Sequence, residues 1–135
     1  HRDLHSFPTR RSSDLVGADI ISVHTPLTAE TKGLIGEKEI AAMKHGAIII
    51  NTARGPVIET EVLARALREG KIKAGLDVFE NDPPLPANHP LIDAPNLVCT
   101  PHVGFDTIES IDRRAEMVFE NVTAWMGGNQ IRKML

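Results

Sequence analysis

The stretch that decides the fold is Ala47–Phe79, AIIINTARGPVIETEVLARALREGKIKAGLDVF. It opens with Ala47–Asn51, an apolar run without alternation, which is typical of a strand covered on both faces of a sheet. A helix is predicted over Glu59–Glu69, with one apolar face and with Gly70 placed to end it. A second strand is predicted over Ala74–Phe79. The order strand, helix, strand indicates a crossover unit of a parallel sheet.

The same alternation continues on both sides of this unit. Upstream, the pattern predicts a strand over Asp19–His24 and a short helix over Gly36–Lys44. Downstream, the prolines of Asp82–Pro90 exclude regular strand pairing, so this segment is predicted as a loop. A short fourth strand is predicted over Leu97–Thr100.

The longest helix is predicted over Thr107–Met126, where apolar residues recur at spacings of three and four. Asp106 with Glu109 fits an N-terminal capping pattern, and two glycines follow the helix. The predicted fold class is α/β. It corresponds to part of a doubly wound parallel sheet, with about four strands and flanking helices, incomplete at its N-terminal side.

The first fifteen residues, His1–Leu15, differ from the rest because they show no helical or strand period. Their sequence HSFPTRRSSDL resembles translated sequencing-adapter read-through. The alternative is a disordered basic arm that could contact an anionic partner. We therefore expect a non-native or disordered tail at 1–15 and one partial domain at 16–135.

Composition excludes several classes of protein. Fifteen basic and eighteen acidic residues give a net charge of −3 among 135 residues, which argues against nucleic acid as the partner. No apolar run is longer than Ala47–Ile50, which is far below the roughly 20 residues of a membrane span. Cys99 is the single cysteine and is predicted as a small core residue of a strand. No secretory pattern is seen, the six histidines lack metal-ligand spacing, and a cytoplasmic location is expected.

Polar residues follow each of the four predicted strands. In chain order, the strands deliver His24-Thr25-Pro26, Asn51–Gly55, Asp77 followed by Glu80 and Asp82, and Thr100–His102. Ligands of open parallel sheets bind beyond the carboxyl ends of the strands. The sequence therefore predicts one site at this edge of the sheet.

Each of these residues has a functional and an ordinary interpretation. The Arg54 guanidinium could bind a carboxylate through two hydrogen bonds, or it could pair with Glu59 or Glu61 on the surface. His102 could donate a proton near neutral pH, or it could be a polar loop residue before a helix.

The carboxylates leave similar alternatives. Asp82 could orient His102 and favour its charged form, or it could be an ordinary turn residue before proline. Asp77 lies in an apolar run and needs a partner, either a neighbouring backbone group or a ligand amide. Thr25 is explained equally well by a hydroxyl that caps nearby backbone.

Short motifs also occur in a fixed order along Val16–Trp125. They are Ala18-Asp19, His24–Thr28, Thr31–Ile35, Met43-Lys44, Ile50–Gly55, Gly75–Glu80 and Thr100–Gly104. Together they resemble the D-isomer-specific 2-hydroxyacid dehydrogenases. The resemblance implies a Rossmann-like domain of an NAD-dependent oxidoreductase that transfers a hydride between nicotinamide and a small 2-oxo or 2-hydroxy acid. It also implies a homodimer.

The resemblance further assigns roles to residues. Arg54 would bind the carboxylate and carbonyl of the 2-oxo acid, and His102 would protonate the carbonyl oxygen. Asp82 stands where the family usually has glutamate and would support His102. The positions that match the cofactor-binding residues of the family are Thr25, Thr52, Ala53, Arg54, Asp77, His102, Val103 and Gly104.

Two departures from the family pattern matter. Aspartate at 82 has about 1.5 Å less reach than glutamate, so either Asp82 or Glu80 would partner His102. The glycine-rich phosphate loop, the residue that selects NAD over NADP and the substrate domain are all expected upstream of Val16. We therefore expect this chain alone to be inactive, and the identities of the cofactor and of the 2-hydroxy acid stay open.

Two other members of this architecture are alternatives. One is an NAD-sensing protein of the C-terminal-binding-protein corepressor type, which the retained residues do not distinguish from an enzyme. The other is the formate dehydrogenase branch. A resemblance to that branch would imply an amide-bearing residue beside the histidine, whereas the residue at position 82 is acidic.

Overall fold

The computed structural model describes residues 12–81 and 84–132 of the chain. Its sheet contains β1 (Ile20–Val23), β2 (Ala47–Asn51), β3 (Ile72–Leu76) and β4 (Leu97–Cys99). The strands lie in the order β1-β2-β3-β4, and all three pairings are parallel. This arrangement confirms the predicted α/β class with a parallel sheet.

Helices occupy much of the described chain outside the strands. Their bounds are α1 (Ser12–Gly17), α2 (Glu37–Ala42), α3 (Thr60–Arg68) and α4 (Ile108–Met126), and a short 3₁₀ helix covers Gly55–Val57. α3 was predicted within one residue at each end, because its apolar face and the glycine beyond it are both clear in the sequence.

The longest helix begins one residue later than predicted, at Ile108, and its N-cap is not the predicted Asp106. The N-cap of α4 is Thr107, whose hydroxyl accepts a hydrogen bond from the Ser110 N–H at 3.2 Å. Thr107 has the extended backbone that a cap requires, so the pairing three residues along is Thr107 with Ser110. Asp106 and Glu109 do not form it.

The third strand lies two residues before its predicted position. The register pairs Ala47 with Ile72 and Asn51 with Leu76, so β2 and β3 begin and end together. Lys71 and Lys73 hid the start of β3 from an analysis based on apolar runs. As a consequence, Asp77 and the two residues after it lie beyond the carboxyl end of the strand.

The first described helix crosses the predicted boundary at residue 15. α1 runs over Ser12–Gly17, and Leu15 packs against the apolar core. Residues 1–11 lie outside the described part of the chain, so the assignment of 1–15 as a tail stays a prediction.

The core lies between the sheet and α3. Four of the nine residues of α3 are buried, and the sheet contributes Ile49 and Ile72, both fully buried. The side chains with the least exposure are Ile49, Leu63, Leu67, Ile72, Val57 and Asn51. A buried polar residue among five apolar ones is unusual, and Asn51 proves to organise the turn that follows β2.

The chain divides into two compact units, His1–His102 and Val103–Leu135. The first holds the sheet, and the second holds α4. The apolar stripe of α4 is exposed, with Ile108 at 81% and Trp125 at 70%. Among the described residues, no helix is long and apolar enough to cross a membrane.

Candidate functional site

The carboxyl ends of β2, β3 and β4 form one continuous edge. The Asp77 N–H donates to the Asn51 carbonyl at 3.0 Å, and the Thr100 N–H donates to the Leu76 carbonyl at 2.9 Å. These bonds extend the parallel ladder one residue past the strands. Asn51, Asp77 and Thr100 therefore leave the sheet at one edge, as predicted from the strand ends.

The turn after β2 is held by the side chain of Asn51, which is only 1% exposed. Its Nδ2 donates to the Arg54 carbonyl at 3.0 Å, and its Oδ1 accepts from the Ala53 N–H at 3.0 Å. The backbone from Thr52 to Arg54 is thereby fixed. Sequence reasoning missed this role, although an asparagine that bonds backbone two residues onward is a known turn signal.

Gly55 brings this turn against the segment that follows β3. A Cβ atom at Gly55 would lie 2.0 Å from the carbonyl carbon of Phe79. The approaching group is the Phe79 backbone, and the contact locks the Arg54 turn beside residues 77–80.

Arg54 is exposed at the end of the ordered turn. Its Nη1 donates to the Ala53 carbonyl at 2.6 Å. In the described part of the chain, Arg54 forms no ion pair with Glu59 or Glu61. A guanidinium carries five N–H donors in a planar fork, so this residue is suited to bind a planar anion.

Asp77 is buried, at 5% exposure, and its partner is now visible. Its Oδ1 accepts a hydrogen bond from the Thr100 hydroxyl on the neighbouring strand end. The carboxylate therefore ties the ends of β3 and β4 together. This contact is the partner that a buried carboxylate requires.

Thr25 follows β1 by two residues and differs from Asp77. Its Oγ1 is buried and has no hydrogen-bond partner among the described residues. The predicted alternative, a hydroxyl that caps local backbone, was wrong. An unpartnered buried hydroxyl costs about 1–3 kcal/mol, so the site is suited to a ligand that supplies a partner.

His102 lies two residues beyond Thr100 and is partly buried. Its φ of 59° lies in the left-handed region, which is uncommon outside glycine. Backbone of this kind is concentrated at functional sites. Val103 and Gly104 belong to the second compact unit, where the Val103 carbonyl accepts from the Asp106 N–H at 2.9 Å.

Of the two carboxylates that could partner His102, only that of Glu80 belongs to the described residues. Asp82 lies outside the described residues. The Oε2 of Glu80 lies 3.2 Å from Nε2 of His89 and pairs with that histidine.

The remaining candidates contribute less. Nε2 of His24 lies 2.8 Å from the Ser22 hydroxyl. Cys99 is exposed on β4, so the prediction of a core cysteine was wrong. Partial burial still raises the pKa of the Cys99 thiol, which disfavours a nucleophilic thiolate. No group of three potential metal ligands occurs within the described ranges.

Comparison with known proteins identifies the origin of this arrangement. The model of the D-isomer specific 2-hydroxyacid dehydrogenase NAD binding domain matches residues 10–104, more than half of the chain. The chain is 51% identical over 112 residues to a glyoxylate reductase of Thermofilum pendens, covering 82% of this chain and 33% of the relative. It is 42% identical over 117 residues to a glycerate dehydrogenase of Methylorubrum extorquens, covering 84% and 37%.

Solved structures show the same fold. A D-lactate dehydrogenase with NAD⁺ from Lactobacillus jensenii superimposes with a TM-score of 0.82 at 34% identity, covering 93% of this chain and 42% of that one. The chain spans about a third of the length of the curated relatives it matches.

Proposed function

Because this chain belongs to the D-isomer specific 2-hydroxyacid dehydrogenase family, we propose that the complete protein reduces a small 2-oxo acid to a 2-hydroxy acid, and catalyses the reverse reaction. The observation that carries the proposal is the edge of the sheet. There a locked turn presents Arg54, and the neighbouring strand ends carry Asp77 and His102.

The cofactor is a nicotinamide dinucleotide, which supplies the hydride when bound. The residues that would hold it are Thr25, Thr52, Ala53, Arg54, Asp77, His102, Val103 and Gly104. The buried, unpartnered Oγ1 of Thr25 fits a ligand rich in hydroxyl and amide groups. We propose NAD, because the matched family domain is described as NAD-binding, although one similar structure is an imino acid reductase in complex with NADPH.

Arg54 is proposed to bind and orient the 2-oxo acid. Its planar fork matches the carboxylate of the substrate in two parallel hydrogen bonds. In that pose the same cation would also stabilise the negative charge that develops on the carbonyl oxygen during reduction, most strongly in the transition state. The hydrogen bonds of Asn51 keep the turn in place for this task.

His102 is proposed to donate a proton to that carbonyl oxygen, and to remove it in the reverse direction. A carboxylate beside the imidazole favours its protonated form and fixes its orientation. We assign this role to Asp82, because Glu80 is already paired with His89.

The substrate, the oligomeric state and the location of the complete protein are proposed as well. The glyoxylate reductase of Thermofilum pendens and a glyoxylate/hydroxypyruvate reductase B of Escherichia fergusonii, 44% identical to this chain, favour a small, polar 2-oxo acid as substrate. We propose a homodimer in the cytoplasm, without nucleic acid or membrane partners. The net charge of −3 supports the absence of nucleic acid.

The test is a turnover assay on the complete protein with NADH and glyoxylate or hydroxypyruvate, followed by loss of NADH absorbance. We expect activity in the complete protein and none in the 135-residue chain alone. NADH binding without turnover on any 2-oxo acid would instead favour the corepressor type. Turnover by the isolated chain would contradict the expectation that the reaction needs residues outside these 135.

A further inference from the structure

Thr100 holds the carboxyl end of β4 through two hydrogen bonds. Its N–H donates to the Leu76 carbonyl at 2.9 Å, and its hydroxyl donates to Oδ1 of Asp77. β4 is only three residues long, and its register with β3 covers three pairs. Because so short a strand contributes few ladder bonds, the side-chain bond is a large part of what fixes this strand end.

The acceptor of that bond is itself held in place. Asp77 is buried at 5% exposure, and its N–H donates at 3.0 Å to the carbonyl of Asn51, which is 1% exposed on β2. Hydrogen bonds to a carboxylate are among the stronger ones in proteins, and a buried carboxylate requires them. Thr100 is exposed, so water could satisfy its hydroxyl, yet the hydroxyl is bound to Asp77. The bond therefore attaches the end of β4 to the buried part of the sheet.

The chain from Thr100 to His102 has little freedom to bend. Pro101 lies between them, and its ring fixes its own φ and confines the preceding residue to extended backbone. His102 adopts a φ of 59°, a conformation that persists only where the surrounding structure holds it. The place of the His102 backbone consequently follows the place of Thr100.

We propose that Thr100 is a positioning residue for the reaction. Through its hydrogen bond to Asp77, it fixes the strand end from which His102 extends. The proposal rests on the proposed function, in which His102 donates the proton. The Arg54 turn is held separately, by the Asn51 side chain, so loss of the Thr100 hydroxyl should displace His102 and leave Arg54 in place.

Two substitutions at this position isolate the hydroxyl. Thr100→Val replaces it with a methyl group of similar shape, so the bond to Asp77 is lost while the backbone preference for a strand is kept. Thr100→Ser keeps the hydroxyl and should restore the bond. Thr123→Val, at an exposed position of α4, is the matched control for the same chemical change.

The measurement is steady-state reduction of glyoxylate by NADH in the complete protein, in H₂O and in D₂O. We expect Thr100→Val to lower kcat about tenfold and to change KM for glyoxylate by less than about twofold, because Arg54 still binds the substrate while proton transfer is misaligned. The solvent deuterium isotope effect on kcat should rise, since proton transfer then limits more of the rate. Thr100→Ser and Thr123→Val should keep kcat within about twofold of the parent protein.

A merely structural role would give a different pattern. The kcat of Thr100→Val would then fall only in proportion to the folded fraction measured by circular dichroism, with an unchanged isotope effect, and the proposal would be overturned. An equal loss of kcat in Thr100→Ser would overturn it as well, because the hydroxyl would not be the cause. If the valine variant does not fold, Thr100→Ala is measured in its place with the same expectations.

His102→Asn, measured beside these variants, separates this proposal from the proposed function. We expect it to lower kcat by about a hundredfold or more, as for loss of the acid. If His102→Asn keeps the kcat of the parent protein, the proposed function fails. If His102→Asn loses kcat while Thr100→Val changes neither kcat nor the isotope effect, only the positioning role of Thr100 fails.

Discussion

The turn after β2 and the segment after β1 leave the same edge of the sheet, yet their polar groups differ. Asn51 uses both ends of its amide within the turn, and Gly55 presses the turn against Phe79. Thr25, after β1, buries a hydroxyl that contacts no partner among the described residues. The Asn51 amide is hydrogen-bonded within the protein, whereas the Thr25 hydroxyl is suited to a hydrogen bond with a ligand.

The largest expected effect concerns Arg54, which lies in the turn after β2. In the complete protein, Arg54→Ala should cost about 2–5 kcal/mol of transition-state stabilisation, as when a buried charge pair is broken. This corresponds to roughly 30- to 5,000-fold in kcat/KM. Steady-state kinetics with Arg54→Lys as the control separates the loss of the planar fork from the loss of charge. Unchanged kcat/KM would remove Arg54 from the site.

The next effect tests the contact that locks the turn. Gly55→Ala should destabilise the chain by about 3 kcal/mol, because the new Cβ overlaps the Phe79 backbone and neither segment can yield cheaply. Urea unfolding measures the change. Gly46→Ala is the comparison, since the space around Gly46 is open but its φ of 82° strains a side chain. A smaller loss for Gly55→Ala than for Gly46→Ala would contradict the packing argument.

A third effect concerns the amide that completes the turn. Asn51→Ala should cost about 2 kcal/mol of unfolding free energy, because it leaves the Ala53 N–H and the Arg54 carbonyl without their partner. In the complete protein it should also lower kcat/KM through Arg54. Equal activity per folded molecule would show that the turn does not depend on Asn51.

The smallest expected effect concerns Thr25, and it tests most directly whether the segment after β1 differs from the turn after β2. Thr25→Val removes a buried hydroxyl that has no partner among the described residues, so the unfolding free energy should change by less than about 1 kcal/mol or rise. Affinity of the complete protein for NADH should fall. Thr31→Val is the matched control, because the buried Thr31 hydroxyl donates to the Pro26 carbonyl at 2.6 Å and accepts from the Thr28 N–H at 2.7 Å.

Thr31→Val should therefore destabilise the chain by about 1–3 kcal/mol. Differential scanning fluorimetry on both variants, with isothermal titration of NADH into the complete protein, makes the comparison. A marked loss of stability in Thr25→Val would show that its hydroxyl is already satisfied within the protein.

Patterns of apolar residues predicted the elements and their order. The unbroken run Ala47–Asn51 and the amphipathic segment that became α3 were placed within a residue, and the family resemblance drawn from ordered motifs was confirmed. The strand at Ile72–Leu76 was misplaced because Lys73 within it, and Lys71 just before it, interrupt the apolar pattern. Its true register is fixed by pairing with β2, which no local pattern contains.

The same limit applies to the site. Strand ends predicted where polar residues would gather, because parallel strands share one carboxyl edge. They did not predict that Gly55 contacts Phe79, or that Glu80 pairs with His89 nine residues along the chain. These contacts depend on how loops fold over one another, a property of three-dimensional distance rather than of residue type.

The sequence by itself determined the α/β class, the order of strands and helices and the family, since these follow from periodicity and from ordered local motifs. Only the tertiary structure decided which polar groups are satisfied. Asn51, Asp77 and Thr25 are all polar residues near strand ends. Packing alone gives the first two partners within the protein and leaves the hydroxyl of the third without one among the described residues. Hydrogen bonds need distances of about 3 Å, and the folded chain sets those distances.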